Sequence, residues 1–205
     1  MLFSGFDEAV VIDLETTGLD PQRDRVVSIA MIRSRFADLK RNSGMMEAKT
    51  MDALVHPQRR IPTAASRVNG ITDEDVTDKP PFAEIATLLR DFIGECPIIA
   101  HNVSFDRKFL NAEFRRAGVK TLARNRSFCT MRKFQELNPG RKKSLDDVAN
   151  WMGVKGRAGP RHGAIEDTRI TWEIAARFYM MDHGMKATII GWRPTPGVDL
   201  PFQDQ

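Results

Sequence analysis

The sequence has few cysteines and no long apolar run, and these two absences exclude several classes of protein. Two cysteines, Cys96 and Cys129, occur in 205 residues, which is too few for a disulfide framework or a cysteine-ligated zinc site. No stretch approaches the roughly 20 apolar residues of a membrane-spanning helix. Residues 1–8 also lack the basic start and apolar centre of a secretory signal. We therefore expect reduced cysteines, a cytoplasmic location and no membrane partner.

The residues that are abundant are typical of one globular domain with a basic surface. Hydrophobic residues make up 41% of the chain and charged residues 28%, which is close to the usual composition of globular domains. Lys and Arg number 31 against 27 Asp and Glu, and the pI of about 9.3 favours a polyanionic partner. We expect one domain over residues 1–185, followed by a proline-rich tail over residues 186–205.

Two acidic residues lie at the end of the first apolar run. The run begins at Val10, and Asp13 and Glu15 follow it before Gly18. Side chains at positions i and i+2 of a strand point to the same face, so the two carboxylates converge. A divalent cation is the commonest way for a soluble protein to tolerate such a pair. The alternative, two solvated acids at a strand end, fits the apolar lead-in less well.

The hydrophobic pattern predicts strands interleaved with helices. The first strand begins at Val10 and ends before Gly18, and it forms a hairpin with the second strand. A polar connection follows over residues 34–49, and Ser104 is the expected N-cap of the second helix. This alternation favours one α/β sheet covered by helices. The later strands are expected over residues 26–32, 53–57, 97–100 and 127–131, and the helices over 85–92, 105–117, 144–153 and 164–181.

Two further acidic residues lie in the first turns of predicted helices. Asp106 closes the motif H-N-x-x-F-D, and Asp167 closes the motif H-x(4)-D that begins at His162. Taken singly, each acid is the usual partner of a helix dipole. Taken in order after the D-x-E of Asp13 and Glu15, however, the three motifs resemble the DEDDh exonuclease family. This family includes the proofreading subunits of bacterial replicative polymerases.

The resemblance covers roughly residues 7–183 and implies a particular fold. The family has a ribonuclease H-like architecture, an α/β fold with a mixed sheet of about five strands, the second antiparallel, flanked by helices. The chain departs from the family pattern at Asn69, where histidine is frequent, and at Thr168, where alanine is usual. The connection over residues 34–49 is also longer than is typical. None of these departures affects an expected metal ligand.

The resemblance also implies the chemistry, namely hydrolysis of the terminal phosphodiester bond at a nucleic-acid 3′ end, with release of nucleoside monophosphates. Two Mg²⁺ or Mn²⁺ ions are implied, and carboxylate oxygens suit such cations. By the resemblance, Asp13 bridges the ions, Glu15 and Asp167 complete the first site, and Asp106 supports the second. His162 is implied as the general base, since imidazole titrates near neutral pH. The candidate substrate contacts are Thr16, Thr17, Gly18, Leu19, His101, Asn102, Phe105 and Arg161.

Three alternatives stay open at this point. The segment D-L-E-T-T also resembles the first motif of haloacid-dehalogenase-like phosphatases, although that class has no use for a histidine five residues before Asp167. An RNA-trimming exoribonuclease of the same family has the same motifs, so single-stranded DNA is favoured only by the resemblance to proofreading subunits. A non-catalytic nucleic-acid-binding module would not need all five polar positions.

Two surface segments carry weaker predictions. Residues 197–202 (GVDLPF) resemble peptides that bind bacterial sliding clamps, which favours a clamp or polymerase as partner. An extended arm packed on its own domain is the alternative. Residues 155–161 form a glycine-rich, basic loop that we expect to move when substrate enters. The sequence gives no indication of the oligomeric state.

Overall fold

A mixed sheet lies at the centre of the computed structural model, which describes residues 6–40, 45–159, 162–185 and 191–195. Within these residues the sheet has six strands in the order β5-β4-β1-β2-β3-β6. Strand β2 is antiparallel to β1 and β3, and all other neighbours are parallel. The strands are β1 (Glu8–Thr16), β2 (Val26–Arg35), β3 (Met45–Leu54), β4 (Ile98–Ala100), β5 (Ser127–Cys129) and β6 (Gly191–Thr195).

Helices cover both faces of the sheet, and β1 alternates between the two cores. Val10 and Ile12 pack with α3 and α4 on one face, whereas Val11 packs with α6 and α7 on the other. Because the side-chain period of a strand is two, Asp13 and Glu15 continue the row of Val11 towards α7. The helices are α1 (Thr63–Asn69), α2 (Asp73–Val76), α3 (Phe82–Ile93), α4 (Val103–Arg116), α5 (Thr130–Leu137), α6 (Leu145–Met152) and α7 (Ala164–Asp182).

The predicted elements occur in the expected order, with differences at their ends. The hairpin of β1 and β2 is confirmed, and α6 is capped by Ser144, whose hydroxyl accepts a hydrogen bond from the Asp147 N–H. Helix α4 begins at Val103 after Asn102, so the prediction of Ser104 as its N-cap was wrong. None of the helices in the described ranges combines the length and apolarity needed to cross a membrane.

The polar connection predicted over residues 34–49 was largely wrong. Strand β2 continues to Arg35, and a 3-10 helix, Phe36–Lys40, follows with Phe36 and Leu39 buried. Strand β3 then runs from Met45 to Leu54, earlier than the predicted third strand. Ala48 is buried in the core on the α7 side of the sheet, and Met51 and Ala53 are buried in the core on the α3 side. The polar residues between them hid this burial in the sequence pattern.

Part of the predicted tail belongs to the sheet. Residues 191–195 form β6, which pairs in parallel with β3. The clamp-like residues 197–202 lie outside the described residues, and the division of the chain after residue 185 stays a prediction. Helices α1, α2 and α5, which have seven, four and eight residues, were not predicted.

Candidate active site

Four carboxylates converge at one end of the sheet from three separate segments. Asp13 and Glu15 lie on the last part of β1, Asp106 lies in the first turn of α4, and Asp167 lies in the first turn of α7. Glu15, Asp106 and Asp167 are buried. The charges of all three act on Asp13, so the acidic pair of β1 and the two helix acids form a single cluster.

Burial and mutual repulsion raise the pKa values of this cluster. Removal from water, followed by repulsion from Asp106, Asp167 and Glu15, raises the pKa of Asp13 well above its usual range. Burial, with repulsion from Asp167, raises the pKa of Glu15 to about 7. Burial likewise raises the pKa of Asp106 to about 7, against hydrogen bonds from its own backbone N–H and that of Leu14. Ionisation of the cluster is therefore unfavourable without a cation, and a bound divalent ion would offset the negative charge.

His162 completes the cluster beside Asp167. Its Nδ1 lies 3.2 Å from Oδ2 of Asp167, and its side chain is 46% exposed. A carboxylate oxygen of Glu15, a carboxylate oxygen of Asp167 and a ring nitrogen of His162 all lie within 4.8 Å of one another. The carboxylate oxygens of this group suit a hard divalent cation. The residues present therefore fit the metal chemistry predicted from the sequence.

The raised pKa values predict that the metal-free protein becomes less stable as pH rises. In the folded state Glu15 and Asp106 have pKa values of about 7, so they keep their protons up to about that pH. In the unfolded chain they lose these protons below about pH 5. The folded state binds more protons between these limits, so these two groups make the free energy of unfolding fall through this window. For Glu15 alone the loss is roughly 3 kcal/mol.

Urea denaturation with a chelator present, between pH 4.5 and pH 8, measures this effect. The Glu15→Gln variant is the control, because glutamine does not titrate and the fall should be smaller by the Glu15 contribution. Adding Mn²⁺ at pH 8 should restore the stability that is lost. Equal slopes for the protein and the variant would contradict the assignment.

Arg157, which sequence reasoning missed, lies inside the cluster. Its Nε is 2.5 Å from Asp167 Oδ1 and its Nη2 is 2.8 Å from Asp167 Oδ2. Its Nη1 is 2.5 Å from Asp146 Oδ1, and its Nη2 is 3.2 Å from His162 Nδ1. The basic loop before His162 was the only sequence signal, and it does not distinguish this arginine from its basic neighbours.

An open, mostly apolar cleft of about 370 Å³ adjoins Glu15. Leu19 is 84% exposed at its edge, so this leucine is not a core residue. The turn before it is fixed, because the Thr17 hydroxyl donates to Asp24 Oδ1 at 3.1 Å and any Cβ at Gly18 would collide with the Asp24 carboxylate. The predicted substrate contacts that line the cleft are Thr16, Thr17, Gly18, Leu19 and Phe105. The rest of the lining, which was not predicted, includes Pro62 and the α1 residues Ala64, Ala65, Val68 and Asn69.

His101 and Asn102, which were also predicted as substrate contacts, do not line this cleft. His101 has Nδ1 at 2.9 Å from Thr130 Oγ1 and Nε2 at 2.8 Å from the Lys143 carbonyl, and desolvation lowers the pKa of His101. Its ring therefore fastens the basic segment at residues 141–143 to the start of α4. Asn102 precedes α4 without a side-chain cap bond, and Arg161 lies outside the described residues.

The two departures from the family pattern have local explanations. The hydroxyl of Thr168 is buried and donates to the Ala164 carbonyl at 2.6 Å, so a threonine fits where alanine is usual. Asn69 accepts a hydrogen bond from the Ile71 N–H at 3.0 Å. This bond holds the turn after α1, and Asn69 itself lines the cleft.

Sequence comparison gives a consistent result. The family model RNase_T, described as exonuclease, matches residues 10–175. The DNA polymerase III subunit epsilon of Rickettsia felis is 32% identical over 169 residues, which are 80% of this chain and 71% of that protein. A PolC-type DNA polymerase III of Thermotoga maritima is 30% identical over 182 residues, which are 84% of this chain and 12% of that protein.

Solved structures share the fold. Exonuclease X in complex with 5′ overhanging duplex DNA superposes with a TM-score of 0.62 at 28% identity, covering 87% of this chain and 95% of that one. E. coli exonuclease I in complex with a dT13 oligonucleotide gives a TM-score of 0.71 at 19% identity, covering 86% and 43%. These likenesses confirm the ribonuclease H-like fold. With the matched motifs and the family model, they establish that the chain belongs to the exonuclease family, as a 3′–5′ exonuclease of the DEDDh type.

Proposed function

We propose that this exonuclease removes nucleotides from the 3′ end of single-stranded DNA with two Mg²⁺ or Mn²⁺ ions held by Asp13, Glu15, Asp106 and Asp167. The observation that carries the proposal is the convergence of these four carboxylates and His162 beside an open cleft. Divalent-metal dependence is general in this family. The relatives named as polymerase III subunits and the exonuclease I structure with a dT13 oligonucleotide support DNA as substrate.

The phosphatase and non-catalytic alternatives lose their basis once the family is known. The family match assigns an exonuclease to residues 10–175, and the D-L-E-T-T segment lies within that match. All five polar positions of the family motifs are retained in this sequence. An RNA-trimming enzyme of the same family stays as the second candidate.

The chain's own residues would position the substrate and move the proton. Bound divalent ions would supply the positive charge that activates water and offsets charge on the leaving oxygen. His162 accepts the proton of the attacking water, since its ring is half exposed beside the carboxylates. Asp167 orients the ring through Nδ1 at 3.2 Å, which leaves Nε2 as the accepting nitrogen.

The cleft accommodates the terminal nucleotide in this proposal. Leu19 and Val68, both exposed, and Phe105 line it with apolar surface, which contacts a base without reading its identity. The basic segment at residues 141–143, held by His101, would contact phosphates further along the strand. Binding is therefore expected to depend little on sequence and strongly on salt.

Digestion of labelled oligonucleotides tests the function. A 5′-labelled single strand of DNA should shorten stepwise with Mg²⁺ or Mn²⁺ and release mononucleotides, and duplex DNA and RNA should be shortened more slowly. A terminal abasic nucleotide should leave more slowly than a normal one, because it cannot fill the cleft. Internal cleavage or shortening from the 5′ end would contradict the proposal, and a preference for RNA would favour the exoribonuclease.

We further propose that a replicative polymerase or its sliding clamp is the protein partner. Several relatives are named as subunits of DNA polymerase III, and residues 197–202 resemble clamp-binding peptides. Binding of the full chain to a purified clamp and to a purified polymerase subunit, each measured separately, distinguishes the two partners.

A further inference from the structure

We propose that Arg157 is a resident counter-ion of the active site, which neutralises Asp167 in the metal-free protein and moves to Asp146 when metal binds. The inference rests on the metal site of the proposed function. The Arg157 side chain is 6% exposed, and its guanidinium contacts both oxygens of Asp167. In the described part of the chain, no other lysine or arginine forms an ion pair with the four carboxylates of the cluster.

The geometry makes Arg157 and a metal ion competitors for Asp167. A carboxylate that gives both oxygens to one guanidinium has few lone pairs left for a cation. Burial of the guanidinium also means that it cannot leave the site without losing hydrogen bonds. Metal binding therefore requires that Arg157 give up Asp167, and the energy of this exchange weakens the apparent metal affinity.

Asp146 gives the displaced guanidinium a second anchor. It accepts from Nη1 of Arg157 at 2.5 Å and is 56% exposed. It lies in the first turn of α6, whose start is fixed by the Ser144 cap. The guanidinium can therefore keep one charge-assisted hydrogen bond while it leaves Asp167, and the loop that carries His162 stays attached to α6.

The same exchange sets the proton on His162. His162 Nδ1 lies 3.2 Å from Nη2 of Arg157 and 3.2 Å from Oδ2 of Asp167. A guanidinium can only donate and a carboxylate oxygen can only accept, so the two contacts require opposite states of Nδ1. When Arg157 leaves, Nδ1 can donate to Asp167 instead. Nε2 then becomes the free acceptor that the proposed mechanism needs, so Arg157 couples metal binding to the tautomer of the base.

Mn²⁺ binding to Arg157→Gln tests the counter-ion role. Free Mn²⁺ is measured by electron paramagnetic resonance at pH 8, above the pKa of Glu15 and Asp106, and the metal-free melting temperature is recorded with a chelator. The variant should bind Mn²⁺ about tenfold more tightly, a shift of about 1.4 kcal/mol. Its metal-free melting temperature should fall by at least about 5 °C, because the buried carboxylate loses its partner.

Arg169→Gln is the matched control. It also removes one positive charge, but from Arg169 on α7, which forms an ion pair with Glu173 and donates to the Lys155 carbonyl. This variant should change Mn²⁺ affinity by less than about twofold. If Arg157→Gln does not fold, Arg157→Lys replaces it, and the weaker lysine contact should tighten Mn²⁺ binding by a smaller factor. Unchanged or weaker Mn²⁺ binding by the folded variant would overturn the inference.

A double-mutant cycle with Asp146→Asn tests the second anchor. Asp146→Asn should weaken Mn²⁺ binding several-fold when Arg157 is present and have no effect in the Arg157→Gln background. An equal effect in both backgrounds would indicate simple loss of negative charge and would overturn the transfer to Asp146. If the unmodified protein binds no Mn²⁺, the proposed metal site itself fails, and the inference falls with it.

Discussion

Asp13→Asn is expected to reduce exonuclease activity by at least about 10³-fold while it stabilises the metal-free protein. Asp13 is the carboxylate on which the other three members of the cluster act, and the loss of several kcal/mol of metal-dependent charge stabilisation corresponds to this factor. At pH 8 folding must either bury the Asp13 charge or take up a proton. Asparagine has the same shape and removes that cost, so the melting temperature measured with a chelator should rise.

The opposite signs of the two effects make this prediction specific. A misfolded variant would lose both activity and metal-free stability. Asp13→Asn should lose activity and the stabilising effect of Mn²⁺, but its metal-free stability should rise. Glu166→Gln is the matched control, since Glu166 adjoins Asp167 in sequence but accepts from the Ala158 N–H at 2.8 Å, a bond that glutamine can keep. Single-turnover rates within about tenfold of the unmodified protein would show that Asp13 is not a metal ligand.

The sequence was sufficient to predict those parts of the site that depend on local patterns. Asp13 and Glu15 share a face because strand side chains alternate, and the register of β1 against β2 keeps that alternation. Asp106 and Asp167 lie in first turns, where the helix dipole favours acids. The helix ends therefore offset part of the repulsion in the cluster before any metal binds.

The features that sequence reasoning missed depend on contacts between distant segments. Arg157 meets Asp167 and Asp146 because the first turns of α6 and α7 lie close enough for its side chain to contact both. Leu19 gave no sign of whether it was buried, because its place is set by a turn anchored on Asp24. Strand β6 forms by pairing with β3, a long-range contact that local polarity does not indicate.

The difference between local patterns and long-range contacts explains why the resemblance to exonucleases was more informative than any single motif. Each acid alone has an ordinary explanation as a helix-dipole partner or a strand-end residue. The cluster forms because β1, α4 and α7 bring the acids together at one end of the sheet. The order of the motifs along the chain encodes this topology, which composition and periodicity do not.

His162→Ala is expected to lower the rate of hydrolysis by about 10²- to 10⁴-fold, the usual contribution of a general base. Stability should change little, because the ring is 46% exposed and the backbone N–H that donates to the Val68 carbonyl is retained. The rate is measured at saturating Mn²⁺, so that a lower rate reflects loss of the general base and not weaker metal binding. Removal of the half-exposed ring leaves a space open to solvent, so added imidazole should restore part of the activity in a concentration-dependent way.

His183→Ala provides the comparison, because it removes an imidazole at the other end of α7. There Nδ1 of His183 lies 2.8 Å from the Tyr179 carbonyl, far from the carboxylates in sequence and at the C-terminal end of the helix. This variant should keep most of its activity and gain nothing from imidazole. A structural role for His162 would lower activity without rescue, whereas recovery confined to His162→Ala requires a group that accepts a proton at that position.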